Sequence, residues 1–434
     1  MVTHQVARVM LWGELVGALA YNEETGFSAF EYAPGWLRKG VEISPIRLPL
    51  GRRKYLFSEL PYATYRGLPA AFADTLPDDF GNAVIDAWLA KRGRDPGSFS
   101  PVERLLYTGR RGMGALEYHP EFDQALTRTA PLRVDALVAM AQQVIDGRAA
   151  LQVAIDREQR GDGLESLFQV GTSAGGARAK AVVAVNRERT ELRSGQVDCP
   201  EGFEHFILKF DGVVDSNRTH QTFGDPQGYG RMEYAYYLMA RDAGIHISHC
   251  ELLEEGERAH FMTRRFDRIG NEKLHFQSLC AMDHADYKKP GHYSYEQLFG
   301  LMRRLRLDRR SALEMYRRMV FNIVARNQDD HPKNVGFTRR QGGDWRLAPA
   351  FDLAYSFRAD SPWVATHQMT LNGKRDQFVL EDLLAPAATF AREAREIIET
   401  VREVVSRWPD YAAQAGVPEP FAAVIGKHHR LVFS

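Results

Sequence analysis

The most constraining feature of this sequence is a change in hydrophobic period near residue 270. Before this point, apolar residues alternate or form short runs bounded by Gly and Pro, which is typical of β-strands. After it, apolar residues recur at intervals of three and four. This period predicts helices at 273–284, 293–305, 308–326, 387–408 and 419–428. We therefore expect an α+β fold in which a β-rich part precedes an α-rich part.

The two parts are not uniform. Apolar runs predict strands at 5–21, where the chain turns at 12–14, and at 181–185, 205–210, 250–253 and 260–266. Helical spacing occurs at 68–91, 131–160 and 232–243. A single β-hairpin, 335–338 with 345–351, interrupts the α-rich part. These changes predict three domains, at 1–125, 126–268 and 269–434.

Composition excludes several classes of protein. The chain has 434 residues, 44% of them hydrophobic and 26% charged, which is the profile of a folded globular protein. Lys and Arg together equal Asp and Glu at 56 each, so no net charge attracts the protein to nucleic acid or to a membrane. The three cysteines are too few and too widely spaced for a disulfide framework or a zinc site. Without a signal peptide or an apolar run of membrane-spanning length, we expect a cytoplasmic protein.

The strongest chemical signal is the polar segment 327–334, Asn-Gln-Asp-Asp-His-Pro-Lys-Asn, which follows the predicted helix 308–326. Four residues separate Asp329 from Asn334, and Asp352 follows the predicted hairpin. This is the spacing of the catalytic Asp and the metal-binding Asn and Asp of protein kinases. Phosphoryl transfer needs a base near the acceptor hydroxyl and oxygen ligands for Mg²⁺, which these side chains can supply.

This segment also fits two other interpretations. Each residue taken alone also fits the polar end of a helix, so the prediction depends on the three residues and the hairpin occurring together. A metal hydrolase is less favoured, because the adjacent side chains 329–331 cannot readily converge on one ion. No H-E-x-x-H motif supports it either.

A second signal lies upstream, in the Gly-rich segment 171–180. Small residues let a backbone approach phosphates closely, although an ordinary surface loop has the same composition. Lys209 on a predicted strand and Glu233 on a predicted helix follow it in the order found in kinases. A lysine on a buried strand is destabilising unless a negative charge pairs with it, so Lys209 needs Glu233, a phosphate, or both. The strand end 261–268 can offer backbone groups to an adenine, with Phe266 as an apolar wall.

Taken together, these motifs resemble the HipA family, the serine/threonine-kinase toxins of HipBA-type toxin–antitoxin pairs. The resemblance covers nearly the whole chain. It is carried by the segments 67–78, 110–116, 171–180, 265–268, 329–334 and 347–352. It implies a two-lobed protein-kinase-like fold with a β-rich N-terminal subdomain and a mostly α-helical C-terminal lobe, together with the use of ATP and Mg²⁺.

The resemblance also implies a role for individual residues. Asp329 is similar to the catalytic base of the family, and His331 and Lys333 match its catalytic loop. Asn334 and Asp352 resemble its magnesium ligands. The nucleotide-binding positions would be Ser173, Ala174, Gly175, Gly176, Lys209 and Glu233, together with the hinge backbone at Arg264 and Phe266.

Family members phosphorylate a serine of the Gly-rich loop, which ejects the loop and blocks nucleotide binding, and Ser173 matches that serine. A phosphate adds a charge of about −1.5 to −2, which would repel a nucleotide. The chain departs from the family pattern at Arg178, where a Gln is usual, and the adjacent Thr172 is a possible acceptor instead.

The known targets of the family are aminoacyl-tRNA synthetases, and its partner is a HipB-like helix-turn-helix antitoxin. DNA is then contacted only through the antitoxin, and no membrane is involved. Two alternatives stay open: a small-molecule phosphotransferase on a related scaffold, and a non-catalytic corepressor that binds antitoxin and DNA.

Overall fold

The chain divides into two units, which are described separately. The first comprises 1–43, 48–230 and 251–276, and the second comprises 44–47, 231–250 and 277–434. The structure is a computed structural model. It describes residues 5–77, 79–91, 93–121, 131–145, 171, 178–213 and 227–433.

The first unit begins with a five-stranded antiparallel sheet of order β4-β3-β2-β1-β5. Its strands are β1 (Val6–Leu11), β2 (Glu14–Asn22), β3 (Phe27–Tyr32), β4 (Lys54–Tyr55) and β5 (Leu116–His119). Trp12 and Gly13 both have positive φ, at 52° and 78°, which closes the tight turn between β1 and β2. The hairpin predicted at the start of the chain is therefore present.

Helices lie between and after these strands. They are α1 (Pro34–Leu37), α2 (Tyr62–Tyr65), α3 (Ala70–Ala73), α4 (Asp79–Lys91), α5 (Pro101–Thr108) and α6 (Val134–Ile145). Helix α5 begins with a capping box: Ser100 accepts from the backbone N–H of Glu103, and the Glu103 side chain accepts from that of Ser100. The hydrophobic period does not predict this helix, because its buried face lies within a Gly- and Pro-rich stretch.

A second sheet of order β7-β6-β8-β10-β9 forms the other layer of this unit. Its strands are β6 (Lys180–Asn186), β7 (Leu192–Ser194), β8 (Phe203–Lys209), β9 (Cys250–Glu255) and β10 (Arg258–Arg264). Val183 and Val185 of β6 and Phe206 of β8 share one core with residues of α4 and α6. A short ribbon of β11 (Arg268–Ile269) and β12 (Glu272–Lys273) follows.

Helices dominate the second unit. Helix α7 (Tyr229–Asp242) and strand β13 (His275–Ser278) span the boundary between the units. The other helices are α8 (Leu279–Asp283), α9 (Tyr295–Arg304), α10 (Arg309–Val324), α11 (Leu380–Leu384), α12 (Ala391–Ser406), α13 (Trp408–Ala415) and α14 (Glu419–His428). Helix α10 packs along α12, and each turns a fully buried apolar face inward. The predicted hairpin is present as β14 (Gly336–Arg339) and β15 (Trp345–Leu347).

One predicted helix, 273–284, is wrong over its first half. His275–Ser278 is a strand, and the helix begins only at Leu279, where the Ser278 side chain accepts from the backbone N–H of Ala281 at 3.3 Å. The α+β class agrees with the structure, while the domain limits 1–125, 126–268 and 269–434 stay predictions. Among the described residues, no helix combines the length and apolar character needed to cross a membrane.

Candidate active site

The polar segment 327–334 starts where helix α10 stops. Arg326 takes a left-handed conformation, with φ at 59°, which ends the helix and redirects the chain. Asn327 is then tied back to Asn322 of α10 twice, through its backbone N–H (2.9 Å to the Asn322 carbonyl) and through its side-chain amide (3.0 Å to Oδ1). The loop therefore leaves a rigid, buried helix along a fixed path.

Asp330 anchors the loop to the interior. Its side chain is completely buried and accepts three hydrogen bonds: from Tyr295 Oη (2.7 Å), His367 Nδ1 (2.9 Å) and the backbone N–H of Gln368 (2.7 Å). Burial alone would raise the pKa of Asp330, but the His367 ring and these hydrogen bonds outweigh it and lower the pKa. Asp330 is thus an ionised structural group that cannot meet a substrate.

Asp329 differs from Asp330 in exposure, since 38% of its side chain is exposed. Its carbonyl oxygen accepts from Asn334 Nδ2 at 2.9 Å, which closes the loop on itself. Its carboxylate Oδ1 accepts from Trp363 Nε1 at 2.7 Å. A carboxylate held on a closed loop and open to solvent has the geometry expected of a general base.

His331 and Lys333 lie on the same loop as Asp329. Nε2 of His331 is 3.7 Å from Oδ1 of Asp329, and the His331 ring lies 5.4 Å, centroid to centroid, from that of Tyr287. Nζ of Lys333 is 5.3 Å from the centroid of the same Tyr287 ring. His331 therefore lies beside the Asp329 carboxylate, and His331 and Lys333 both contact the ring of Tyr287.

The predicted magnesium ligands, Asn334 and Asp352, are both in the second unit. Because Asn334 uses its amide nitrogen to bind the Asp329 carbonyl, its Oδ1 is the atom that can coordinate a cation. Asp352 follows the β14–β15 hairpin and has a positive φ of 53°, a strained conformation of the kind found at functional sites.

An amide oxygen and a carboxylate suit Mg²⁺, which takes few protein ligands and completes its shell with water and substrate phosphates. Within the described residues, no group of three or more His, Cys, Asp or Glu could hold a metal by itself. The donor types of Asn334 and Asp352 are those that Mg²⁺ takes alongside water and phosphate oxygens.

Lys209 lies at the end of β8 in the first unit and is 7% exposed. Its register partner on β6 is Lys180, which is 3% exposed, and its partner on β10 is Phe261, whose ring centroid is 5.6 Å from Lys209 Nζ. Residues directly opposite on neighbouring strands extend to the same face, so the positive charges of Lys180 and Lys209 reinforce each other. Like charges directly opposite each other on a sheet are destabilising, so a nearby negative charge would stabilise this pair.

Family comparisons cover most of the chain. The HipA N-terminal domain matches residues 7–119, and the HipA-like C-terminal domain matches 172–408, which is more than half of the chain. The chain belongs to the HipA family. The resemblance stated from its motifs is thereby confirmed.

A solved structure agrees in fold. One match is HipA of Shewanella oneidensis MR-1, from a complex of the toxin–antitoxin proteins HipA and HipB with operator DNA. The TM-score is 0.64 at 17% identity, over 97% of this chain and 94% of that one. A weaker similarity, with a TM-score of 0.35 at 10% identity over 58% of this chain and 92% of the other, is to the Helicobacter pylori proinflammatory kinase CtkA. The predicted HipA-like fold is confirmed by the Shewanella structure.

The remaining predicted residues of this HipA-family chain are placed as follows. Thr172, Ser173, Ala174, Gly175 and Gly176 lie outside the described residues. Glu233 is a buried residue of α7 in the second unit, so its pairing with Lys209 of the first unit stays a prediction.

The segment predicted to be the hinge, 264–266, is fixed by its neighbours within the first unit. The backbone N–H of Arg265 binds the His205 carbonyl at 2.9 Å, and Phe266 packs against Phe276, with ring centroids 5.5 Å apart. The side chain of Arg265 is fully buried against Asp267 at 2.7 Å. Residues of the first unit therefore contact both the backbone and the side chains of the predicted hinge.

Two residues near these sites were not predicted. Lys180 ends the Gly-rich segment and has no predicted role of its own. Its position at the start of a buried strand is the signal that could have identified it as a candidate site residue. Trp363 was missed because it lies 34 positions from Asp329, and no local pattern connects the two.

Proposed function

We propose that this chain is an ATP- and Mg²⁺-dependent serine/threonine protein kinase of the HipA toxin type. The observation that carries the proposal is the loop 329–334, which the 2.9 Å bond from the Asn334 side-chain N–H to the Asp329 backbone carbonyl closes, so that one short loop carries both the Asp329 carboxylate and the Asn334 amide oxygen. Membership of the HipA family supports the same conclusion.

In the proposed reaction, the Asp329 carboxylate takes the proton of an acceptor hydroxyl. The hydroxyl oxygen bonds to the γ-phosphorus of ATP while the bond from that phosphorus to the β–γ bridging oxygen breaks, and ADP leaves. Lys180 and Lys209 attract the phosphates, and Asn334 and Asp352 would hold the Mg²⁺. Bound Mg²⁺ supplies charge neutralisation on the phosphates.

The proposal includes self-modification of the Gly-rich loop. The acceptor would be Ser173, with Thr172 as the alternative, and the added charge would oppose a nucleotide phosphate. Ser173→Asp should therefore weaken ATP binding. An unchanged dissociation constant for ATP would contradict loop ejection.

The proposed partners follow from the family and from the Shewanella complex, in which HipA is assembled with HipB and operator DNA. We infer a HipB-like helix-turn-helix antitoxin as the binding partner, with DNA reached through it. The protein target would be an aminoacyl-tRNA synthetase, as the resemblance implies.

The first test is mass spectrometry of the intact protein and its peptides after incubation with ATP and Mg²⁺. The wild type should gain phosphate on 171–180, and Asp329→Ala should not, because it lacks the base. Asp344→Ala, which changes an exposed aspartate in the β14–β15 turn, is the matched control and should behave as the wild type. Wild-type labelling in Asp329→Ala would rule out Asp329 as the base.

The same experiment separates the alternatives. A small-molecule phosphotransferase would form ADP only when its acceptor is added and would leave the protein unlabelled. A corepressor would bind antitoxin and DNA and would form no ADP with any acceptor. Label on the chain itself or on a protein target excludes both.

A further inference from the structure

The candidate base has a hydrogen-bond donor that the sequence motifs do not contain. Trp363 Nε1 donates to Oδ1 of Asp329 at 2.7 Å, while the nearest histidine nitrogen, Nε2 of His331, is 3.7 Å from the same oxygen. Within the described part of the chain, Oδ2 of Asp329 accepts no hydrogen bond. The two carboxylate oxygens are therefore not equivalent.

Trp363 is itself held in place by its own segment. Ser361 Oγ accepts the backbone N–H groups of Trp363 and Val364, both at 3.2 Å. The side-chain amide of Gln368 binds the Trp363 carbonyl, and the backbone N–H of Gln368 binds Asp330 Oδ1 at 2.7 Å. Trp363 and Asp329 are thus tied to one buried frame, centred on Asp330.

The indole ring is also packed. Its centroid lies 6.1 Å from that of the His331 ring, at an interplanar angle of 58°, and His331 in turn contacts Tyr287. With its backbone hydrogen-bonded and its ring in contact with His331, Trp363 presents its N–H to Asp329 in the absence of substrate.

We propose that Trp363 is a positioning residue for phosphoryl transfer: its N–H fixes Oδ1 of Asp329 so that Oδ2 faces the acceptor hydroxyl. This inference rests on the proposed function. The terminal torsion of an aspartate is broad and roughly two-fold, so an exposed carboxylate without a fixed donor would exchange its two oxygens. A donor that is already in place removes this freedom without reorganisation during the reaction.

The test uses Trp363→Phe, which keeps an aromatic ring and removes the N–H. We expect the maximal rate of transfer to fall about tenfold or more, up to the roughly 100-fold that misplacement of a catalytic group can cost. The ATP concentration for half-maximal rate should not change, since the proposed role of Trp363 acts through Asp329 and not through the nucleotide. Trp12→Phe is the matched control: it removes the indole bond to the Lys273 carbonyl (3.0 Å) in the first unit and should leave the rate unchanged.

A spectroscopic readout does not depend on activity. The chain has six tryptophans, so a ¹⁵N–¹H spectrum of the indole groups contains few peaks, and the peak missing from Trp363→Phe identifies Trp363. In Asp329→Asn the charged acceptor becomes a neutral amide, which weakens the bond and should move this peak upfield. A peak that stays in place would overturn the inference.

The outcomes separate the inference from the proposed function. If Asp329→Ala abolishes transfer and Trp363→Phe lowers only the maximal rate, both stand. If Asp329→Ala abolishes transfer while Trp363→Phe equals the wild type, the inference is overturned and the proposed function stands. If the wild type transfers no phosphate to itself or to a protein target, the proposed function fails and the inference fails with it.

Discussion

Removing the buried carboxylate of Asp330 tests whether it anchors the loop that carries Asp329. Asp330→Ala would leave the donors of Tyr295, His367 and the Gln368 backbone without an acceptor in the protein interior. Breaking one side of a buried charged network typically costs about 3–5 kcal/mol, so we expect the free energy of unfolding to fall by about that amount.

Asp330→Asn should cost less, about 1–3 kcal/mol. Its amide oxygen can still accept from the Gln368 N–H, but its NH₂ group then faces the donors of Tyr295 and His367, so the Tyr295 hydroxyl must rotate and the His367 ring must change tautomer to accept. The remaining bonds lose their charge assistance, which is worth about 1 kcal/mol each. The measurement is urea denaturation, with Asp344→Asn as the control at an exposed aspartate.

The pH dependence of the free energy of unfolding tests whether Asp330 is ionised in the folded protein. Because the pKa of Asp330 is lowered in the folded protein, its contribution to stability is fully present above the unfolded pKa of about 4 and is lost as pH falls through the folded value. The stability difference between the wild type and Asp330→Asn should therefore shrink as the pH is lowered below about 4. A difference that is zero at neutral pH, or that grows on acidification, would refute the reasoning.

Three further predictions concern the rest of the chain. Asp267→Ala leaves the buried guanidinium groups of Arg265 and Arg268 facing each other and should lower the free energy of unfolding by about 3–5 kcal/mol in urea. Gly230→Ala places a Cβ against the Ala259 carbonyl oxygen, closer than van der Waals contact allows, and should destabilise by about 1–3 kcal/mol, seen as a lower Tm. All three cysteines are buried free thiols, so a maleimide should label the native protein slowly and the urea-unfolded protein quickly.

The parts of the molecule set by local sequence were predictable. The helix before the loop follows from its period, and the β14–β15 hairpin follows from two short apolar runs around Gly342 and Gly343. The sequence spacing of Asp329 and Asn334 identifies the loop, because both residues belong to one closed turn. The 2.9 Å bond between the Asn334 side chain and the Asp329 carbonyl is a contact within that turn.

What was missed depends on contacts distant in sequence. Trp363 reaches Asp329 across 34 positions, and its placement depends on Gln368 and on the buried Asp330. The strand His275–Ser278 was predicted as part of a helix, because a four-residue strand beside a helix leaves too few apolar residues to reveal its period. Local patterns contain no information about which distant segment will supply a partner.

The two adjacent aspartates illustrate how burial decides chemistry. Residue type does not distinguish Asp329 from Asp330, and only the sequence spacing to Asn334 favours Asp329 as the candidate base. The structure gives the two aspartates opposite environments: Asp330 has no exposed side-chain surface and uses both oxygens on internal donors, whereas Asp329 is 38% exposed and keeps Oδ2 open. A carboxylate whose oxygens are both bound in the interior cannot take a proton from another molecule, so the rigidity that Asp330 provides and the reactivity proposed for Asp329 require opposite environments on neighbouring residues.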